Sequence, residues 1–168
     1  MANTFSGRVW KFGDDINTDL VIPNFAVMWT LAEQVPHCFS ANRPGWVDEV
    51  QPGDVLLAGR NFGVGSARNI GAVFHALGVS GVVAESFNGL GLRNCLNSGL
   101  PSLPCPGILD AFEEGDVAEV DWTIGHVRNV TQGTTLEGNP IPEALQHIVH
   151  AGGVEDILRN EGYLAPRR

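Results

Sequence analysis

A glycine-rich loop, Gly59-Arg60-Asn61-Phe62-Gly63-Val64-Gly65-Ser66-Ala67-Arg68, stands between a run that reads as a buried strand and one that reads as a helix, and it constrains this chain more than any other stretch. Upstream, Gln51-Pro52-Gly53-Asp54 is turn chemistry and Val55-Leu56-Leu57-Ala58 is a short apolar run, so the chain leaves a sheet just before the glycines. Downstream, Ile70, Val73, Phe74 and Leu77 recur at helical spacing until Gly78 ends the pattern. Glycines let backbone N–H groups approach a ligand closely, and a helix start adds unsatisfied donors and partial positive charge. Ser66 falls where an N-cap belongs, and Arg68 falls one or two residues into the first turn, where a cation opposes the helix dipole. Local spacing leaves two readings open: an anion site carrying a nucleophile or base, or a serine-capped helix after a tight turn with Arg68 a solvated charge.

Two phosphate loops are excluded by what is missing. A Walker loop needs Lys and Ser/Thr after its last glycine, and no Lys is near. Gly63-x-Gly65 begins like a dinucleotide fingerprint, but Arg68 occupies the third glycine position and would block close helix packing. The net charge of −9 argues against nucleic acid, so an anionic substrate must be held by local donors. Cys38, Cys95 and Cys105 have neither disulfide nor metal-knuckle spacing and read as small buried hydrophobes. Of the five histidines, only His147 and His150 share a helical face, with no carboxylate ligand beside them. No apolar stretch is long enough to span a bilayer and no signal-peptide core follows the first residues, so a cytoplasmic location is expected.

The 168 residues contain no repeat, low-complexity tract or linker, and a single domain over 1–168 is expected. Arg8–Phe12, Val55–Ala58, Gly81–Ala84 and Ser102–Cys105 read as strands. The Asp-Asn-Thr-Asp segment reads as a loop, Thr30–Phe39 as helical with an interruption at Pro36, and Asn88–Asn97 as a helix. This alternation predicts a partly parallel, mixed sheet flanked by helices. From Asp116 the pattern becomes hairpin-like, with Val117–Val120 and Trp122–Val130, before closing helices over Pro142–His150 and Val154–Glu161.

Asn61-Phe62-Gly-x-Gly-Ser-x-Arg resembles the signature of the swivelling domain of the aconitase superfamily, in particular the separate small subunit of isopropylmalate dehydratase-type enzymes. Three other blocks follow in family order: Gly13-Asp14-Asp15-Ile16-Asn17-Thr18-Asp19-Leu20-Val21-Ile22-Pro23; Ala84-Glu85-Ser86-Phe87 with Arg93-Asn94-Cys95-Leu96-Asn97-Ser98-Gly99-Leu100-Pro101; and Ala151-Gly152-Gly153-Val154-Glu155-Asp156-Ile157-Leu158. The resemblance implies an α/β swivelling domain of β/β/α type. It implies a hydro-lyase small subunit that dehydrates and rehydrates an alkyl-malate-type hydroxy dicarboxylate, as in leucine and branched-chain amino acid biosynthesis. A related dehydratase of dimethylmalate, methylmalate or homoaconitate is the nearest alternative. A non-catalytic binding or assembly protein that kept the fold is the competing class.

By the same resemblance Ser66 matches a catalytic serine that removes a proton from the carbon beside a carboxylate. Its alkoxide needs support from the N–H groups of Ala67 and Arg68, the helix dipole and the Arg68 guanidinium. Arg68 matches an arginine that holds a substrate carboxylate or supports the serine; Asp19 matches a pocket aspartate that pairs with a group on the partner chain. Gly65, Ala67 and Thr18 complete the implied substrate contacts. No cofactor is implied on this chain. A four-iron four-sulfur cluster is implied on a larger partner subunit, so the isolated chain should be inactive, and its exposed interface could then self-associate. The family motif reads Gly-Ser-Ser-Arg-Glu-His, whereas this chain has Gly65-Ser66-Ala67-Arg68-Asn69-Ile70, which is expected to alter the support around the site. By the resemblance the segment after Pro23, Asn24–Trp29, falls at a specificity loop; it contains no arginine, so Phe25, Val27 and Met28 are expected either to favour an apolar substituent over a third carboxylate or to pack in the core or against another subunit.

Overall fold

Val55-Leu56-Leu57-Ala58 and Gly81-Val82-Val83-Ala84 carry no polar side chain and are wholly buried, an arrangement that requires a sheet covered on both faces. The computed structural model describes residues 2–66 and 68–166 and provides that cover. Seven strands, β1 (Thr4–Lys11), β2 (Val55–Ala58), β3 (Gly81–Ala84), β4 (Ser102–Pro104), β5 (Val117–Asp121), β6 (His126–Asn129) and β7 (Thr134–Glu137), lie in the order β4-β3-β2-β1-β5-β6-β7. Strands β4, β3, β2 and β1 are mutually parallel, and the pairs β1–β5, β5–β6 and β6–β7 are antiparallel. Strand β1 serves both parts: Thr4–Arg8 pairs with β5, and Val9–Lys11 pairs with β2.

Side chains alternate between two cores with the period of a strand. Trp10, Leu56, Ala58, Val82 and Ala84 face one core, joined by Phe12, Phe39, Trp46, Phe62 and Phe74. Val9, Val55, Leu57 and Val83 face the other, joined by Leu103, Phe112, Val120, Trp122 and Val127. The helices are α1 (Thr18–Val21), α2 (Leu31–Gln34), α3 (Trp46–Glu49), α4 (Ile70–Ala76), α5 (Gly89–Asn97), α6 (Glu143–His150) and α7 (Val154–Asn160), with 3-10 turns at Asn24–Ala26 and Val35–His37. Helices α1, α3 and α4 pack into the first core through Val21, Trp46, Ile70 and Phe74; α6 enters the second through Val149.

The parallel strands, their helices and the break at Pro36 follow the sequence expectation. Three departures have local causes. The Asp-Asn-Thr-Asp segment is not all loop: the Asn17 side chain accepts from the Asp19 and Leu20 amides and starts the short helix α1. Trp122–Val130 is not one strand, because Asp121 gathers the Thr123 and Ile124 amides into a turn before β6. Strand β7 went unanticipated, its polar Thr134-Thr135 start giving no apolar signal.

Asp54, at the turn before β2, fixes where the parallel sheet begins. Its carboxylate accepts from Arg8 Nη2 at 2.8 Å, Trp10 Nε1 at 2.7 Å and the Gln51 amide at 2.9 Å. Burial alone would raise the carboxyl's pKa, but these donors outweigh it and hold the group below the ordinary value.

Candidate active site

The loops at the carboxyl ends of β1 and β2 run side by side, because the sheet register continues into them. Val9, Trp10 and Lys11 lie opposite Val55, Leu56 and Leu57, and the same offset of 46 residues joins Asp14 to Arg60 and Asp15 to Asn61. Backbone bonds carry the pairing further: Asp15 donates to Arg60 O, Gly63 to Ile16 O and Thr18 to Val64 O, each at 2.8 Å. The block after β3 locks on from the other side, with Phe62 N–H on Ser86 O at 3.0 Å and Asn88 N–H on Phe62 O at 2.8 Å. Gly63 holds φ +76°, and a Cβ there would fall 2.7 Å from Gly91 Cα, so the loop passes against α5 at a spacing only hydrogen permits.

This assembly puts Ser66, Arg68, Thr18 and Asp19 together. Arg68 Nε donates to Ser66 Oγ at 3.1 Å. Its Nη2 pairs with Asp19 Oδ1 at 2.9 Å and reaches Asn24 Oδ1 at 3.1 Å, while Nη1 donates to Ile22 O. Every nitrogen of the guanidinium thus has an acceptor within the chain. Ser66 is exposed and lines a cavity of about 340 Å³ with Ile22, Val27, Gln34, Arg68 and Asn69. A larger groove of about 940 Å³, between α2, α4, α5 and α7, shares only Gln34 and Asn69 with it.

Three expectations for Ser66 and Arg68 are corrected. Ser66 is not an N-cap: α4 begins at Ile70, and Asn69 caps it by accepting from the Ala72 amide. Arg68 therefore precedes the helix and does not oppose its dipole. The Arg68 amide donates to Ser66 O at 2.8 Å and does not serve Oγ; among the described residues the hydroxyl is met by the Arg68 guanidinium and, at 3.5 Å, by Thr18 Oγ1. Thr18 is buried and donates Oγ1 to Ser66 O at 2.9 Å, which fixes the loop's backbone. Asp19 pairs with Arg68 and keeps a half-exposed side chain. Of the segment expected to set specificity, Val27 reaches the cavity, Phe25 packs edge-on against Trp29 and His37, and Met28 is 90% exposed. Gly65, at φ +111°, is exposed beside Thr18; Ala67 lies outside the described residues.

Residues 36–106 match the family model described as the Aconitase C-terminal domain. The chain is 40% identical over 164 residues to the 3-isopropylmalate dehydratase small subunit 1 of Methanopyrus kandleri, covering 96% of each chain. This chain belongs to the family of 3-isopropylmalate dehydratase small subunits. Another member, the isopropylmalate/citramalate isomerase small subunit of Methanocaldococcus jannaschii, is 36% identical over 96% of this chain and 97% of its own. The crystal structure of a 3-isopropylmalate dehydratase from Methanocaldococcus jannaschii superposes with a TM-score of 0.86 at 30% identity, covering 94% of this chain and 95% of that one. The fold is accordingly the mixed-sheet, helix-flanked architecture of the aconitase type.

Two departures from the small-subunit motif have structural roles here. Asn69 holds the α4 cap and accepts from Ser98 Oγ at 3.0 Å, tying α4 to α5. Ile70 is fully buried. Cys38, Cys95 and Cys105 are buried free thiols; burial raises the Cys95 thiol to about 12 and the Cys105 thiol to about 11. Among the described residues no group of three or more His, Cys, Asp or Glu could hold a metal ion, and no helix is long and apolar enough to cross a membrane. Sequence reasoning missed Ile22, Asn24 and Gln34: the first acts through its carbonyl, and the two amides look like ordinary loop and surface residues.

Proposed function

We propose that the chain is the small subunit, one swivelling domain, of a cytoplasmic heteromeric hydro-lyase that interconverts an alkyl-malate-type hydroxy dicarboxylate and its unsaturated acid. Ser66 is the base. It takes the proton from the carbon next to a carboxylate, and the hydroxyl departs from the neighbouring carbon. A four-iron four-sulfur cluster on the larger partner subunit supplies the Lewis acidity that binds that hydroxyl.

The observation that carries this reading is the 3.1 Å approach of Arg68 Nε to the exposed Ser66 hydroxyl at the edge of a cavity. A serine hydroxyl is too weak a base in water. A guanidinium N–H aimed at its oxygen favours the anion, and such charge-assisted bonds contribute about 1.5–3 kcal/mol each, more once a partner excludes water. With a net charge of −9 the chain offers no general attraction for a dianion, so specific donors must do the holding. Ile22 and Val27 give the cavity an apolar side suited to an alkyl group. The citramalate in one relative's name makes a methyl-substituted acid a second substrate to test.

Assembly with the cluster-bearing large subunit, followed by absorbance of the unsaturated acid, tests the proposal. Turnover of isopropyl- or methyl-substituted malates is expected. Failure of every such acid while another hydroxy acid reacts would overturn the substrate class, and undiminished turnover by Ser66→Ala would reject Ser66 as the base.

A further inference from the structure

Helix α2 ends in a side chain bonded to the neighbouring loop. Gln34 Nε2 donates towards three carbonyls, Ala26 at 3.2 Å, Val27 at 3.3 Å and Trp29 at 3.1 Å. Two N–H groups facing three acceptors share them, and three converging carbonyls identify this end of the amide as the nitrogen. The segment is otherwise restrained by Ala26 N–H on Pro23 O at 2.9 Å, Trp29 N–H on Ala26 O at 3.0 Å, the buried Ala26 side chain and the packing of Phe25 and Trp29 on His37, and its middle is the looser part. The Val27 amide reaches Asn24 O only at 3.5 Å, and Phe25 and Met28 are 58% and 90% exposed. Helix α2 itself is well founded, since the Glu33 carboxylate accepts from both the amide and the hydroxyl of Thr30.

Val27 and Gln34 both line the cavity that contains Ser66. We infer that Gln34 is a positioning residue that pins residues 26–29 over the Ser66 cavity and thereby sets, through Val27, the size of alkyl group the site accepts. This rests on reading Ser66 as the base of an alkyl-malate hydro-lyase. The physical link is direct: a side chain can discriminate between a methyl and an isopropyl group only if its backbone holds still, and one methylene is worth about 10–200-fold in a well-defined apolar pocket. Gln34 supplies that restraint from a helix, so the loop need not be rigid by itself.

Two variants separate the bond from the volume. Gln34→Glu sets a carboxylate against three carbonyls, and Gln34→Leu keeps the bulk while removing the donors. Hydrogen exchange on the full-length chain should show the Val27 and Trp29 amides opening about tenfold faster in both variants, with β2 and β3 amides unchanged. In the assembled enzyme, the ratio of kcat/KM for isopropyl- over methyl-substituted malate should shift by about fivefold or more, through KM more than kcat. Unchanged exchange would overturn the positioning role; faster exchange with an unchanged ratio would overturn the link to specificity. If the wild-type complex turns over neither acid, the proposed activity fails, and the exchange result alone decides whether Gln34 pins the loop.

Discussion

Arg68 Nη2 and Asp19 Oδ1 lie 2.9 Å apart, and this pair ties the residues before α4 to the first turn of α1. The arginine is nearly enclosed, at 9% exposure, whereas the aspartate is 52% exposed, so the contact is anchored from the arginine's side. Arg68→Lys keeps the charge but loses the fork that serves Ser66, Asp19, Asn24 and Ile22 at once. Turnover by the assembled enzyme should fall about 100-fold or more, with secondary structure unchanged by circular dichroism. Asp19→Asn retains an acceptor on a half-exposed side chain and should cost far less.

Ser66→Ala removes the proposed base and nothing from the core. Steady-state assay of the complex should show kcat lowered about 10²–10⁴-fold, the usual contribution of a positioned base. The variant should assemble normally, which gel filtration with the large subunit would check.

Asp54 gives acid stability a specific origin. Its carboxyl is held below its ordinary value of 3.8 in the folded chain, so ionised Asp54 stabilises the fold above that value and the contribution is lost as pH falls through the lower, folded value. Asp54→Asn should lower stability at pH 7 by about 1–3 kcal/mol by urea unfolding. The difference from wild type should shrink as pH falls below 3.8.

Gly91→Ala sets two effects against each other. Alanine improves a helix interior by about 1 kcal/mol, but its Cβ would sit 2.6 Å from Gly63 Cα. Backbone cannot yield as a flexible side chain can, so the clash wins and a net loss of about 1–3 kcal/mol is expected in denaturant unfolding. Because Gly63 leads into Ser66, activity should fall as well.

Buried thiols with raised pKa values are poor nucleophiles. Cys38, Cys95 and Cys105 should resist iodoacetamide in the native chain and all react once it is unfolded, as intact mass measurement would show.

The elements legible in the sequence were those whose signal is local. Val55–Ala58 and Gly81–Ala84 announce a doubly covered sheet by apolarity alone, and Asn88 announces the start of α5 by its capping chemistry. The family blocks put Ser66, Arg68 and Asp19 on the page together but not in their relation. What stayed hidden depends on contacts distant in the chain. Asn69 looks like a lost acidic residue until its cap on α4 and its bond from Ser98 are seen. Ser66 looks like a cap because glycine loops commonly end in one, yet α4 begins only at Ile70 and Asn69 caps it. Gln34 ends α2 just before Pro36 and offers no pattern, since its partners are carbonyls, which every residue has.

The register of β1 on β2 reappears at the far end of their loops, where Arg68 meets Ile22 at the same separation of 46 residues as Asp15 meets Asn61. A single residue inserted before Asn17 or before Ser66 would slide one loop along the other and part the guanidinium from its carboxylate. Chains built this way diversify at the site by exchanging side chains rather than by changing loop length, since even Asn24, beyond Pro23, is held by the same guanidinium.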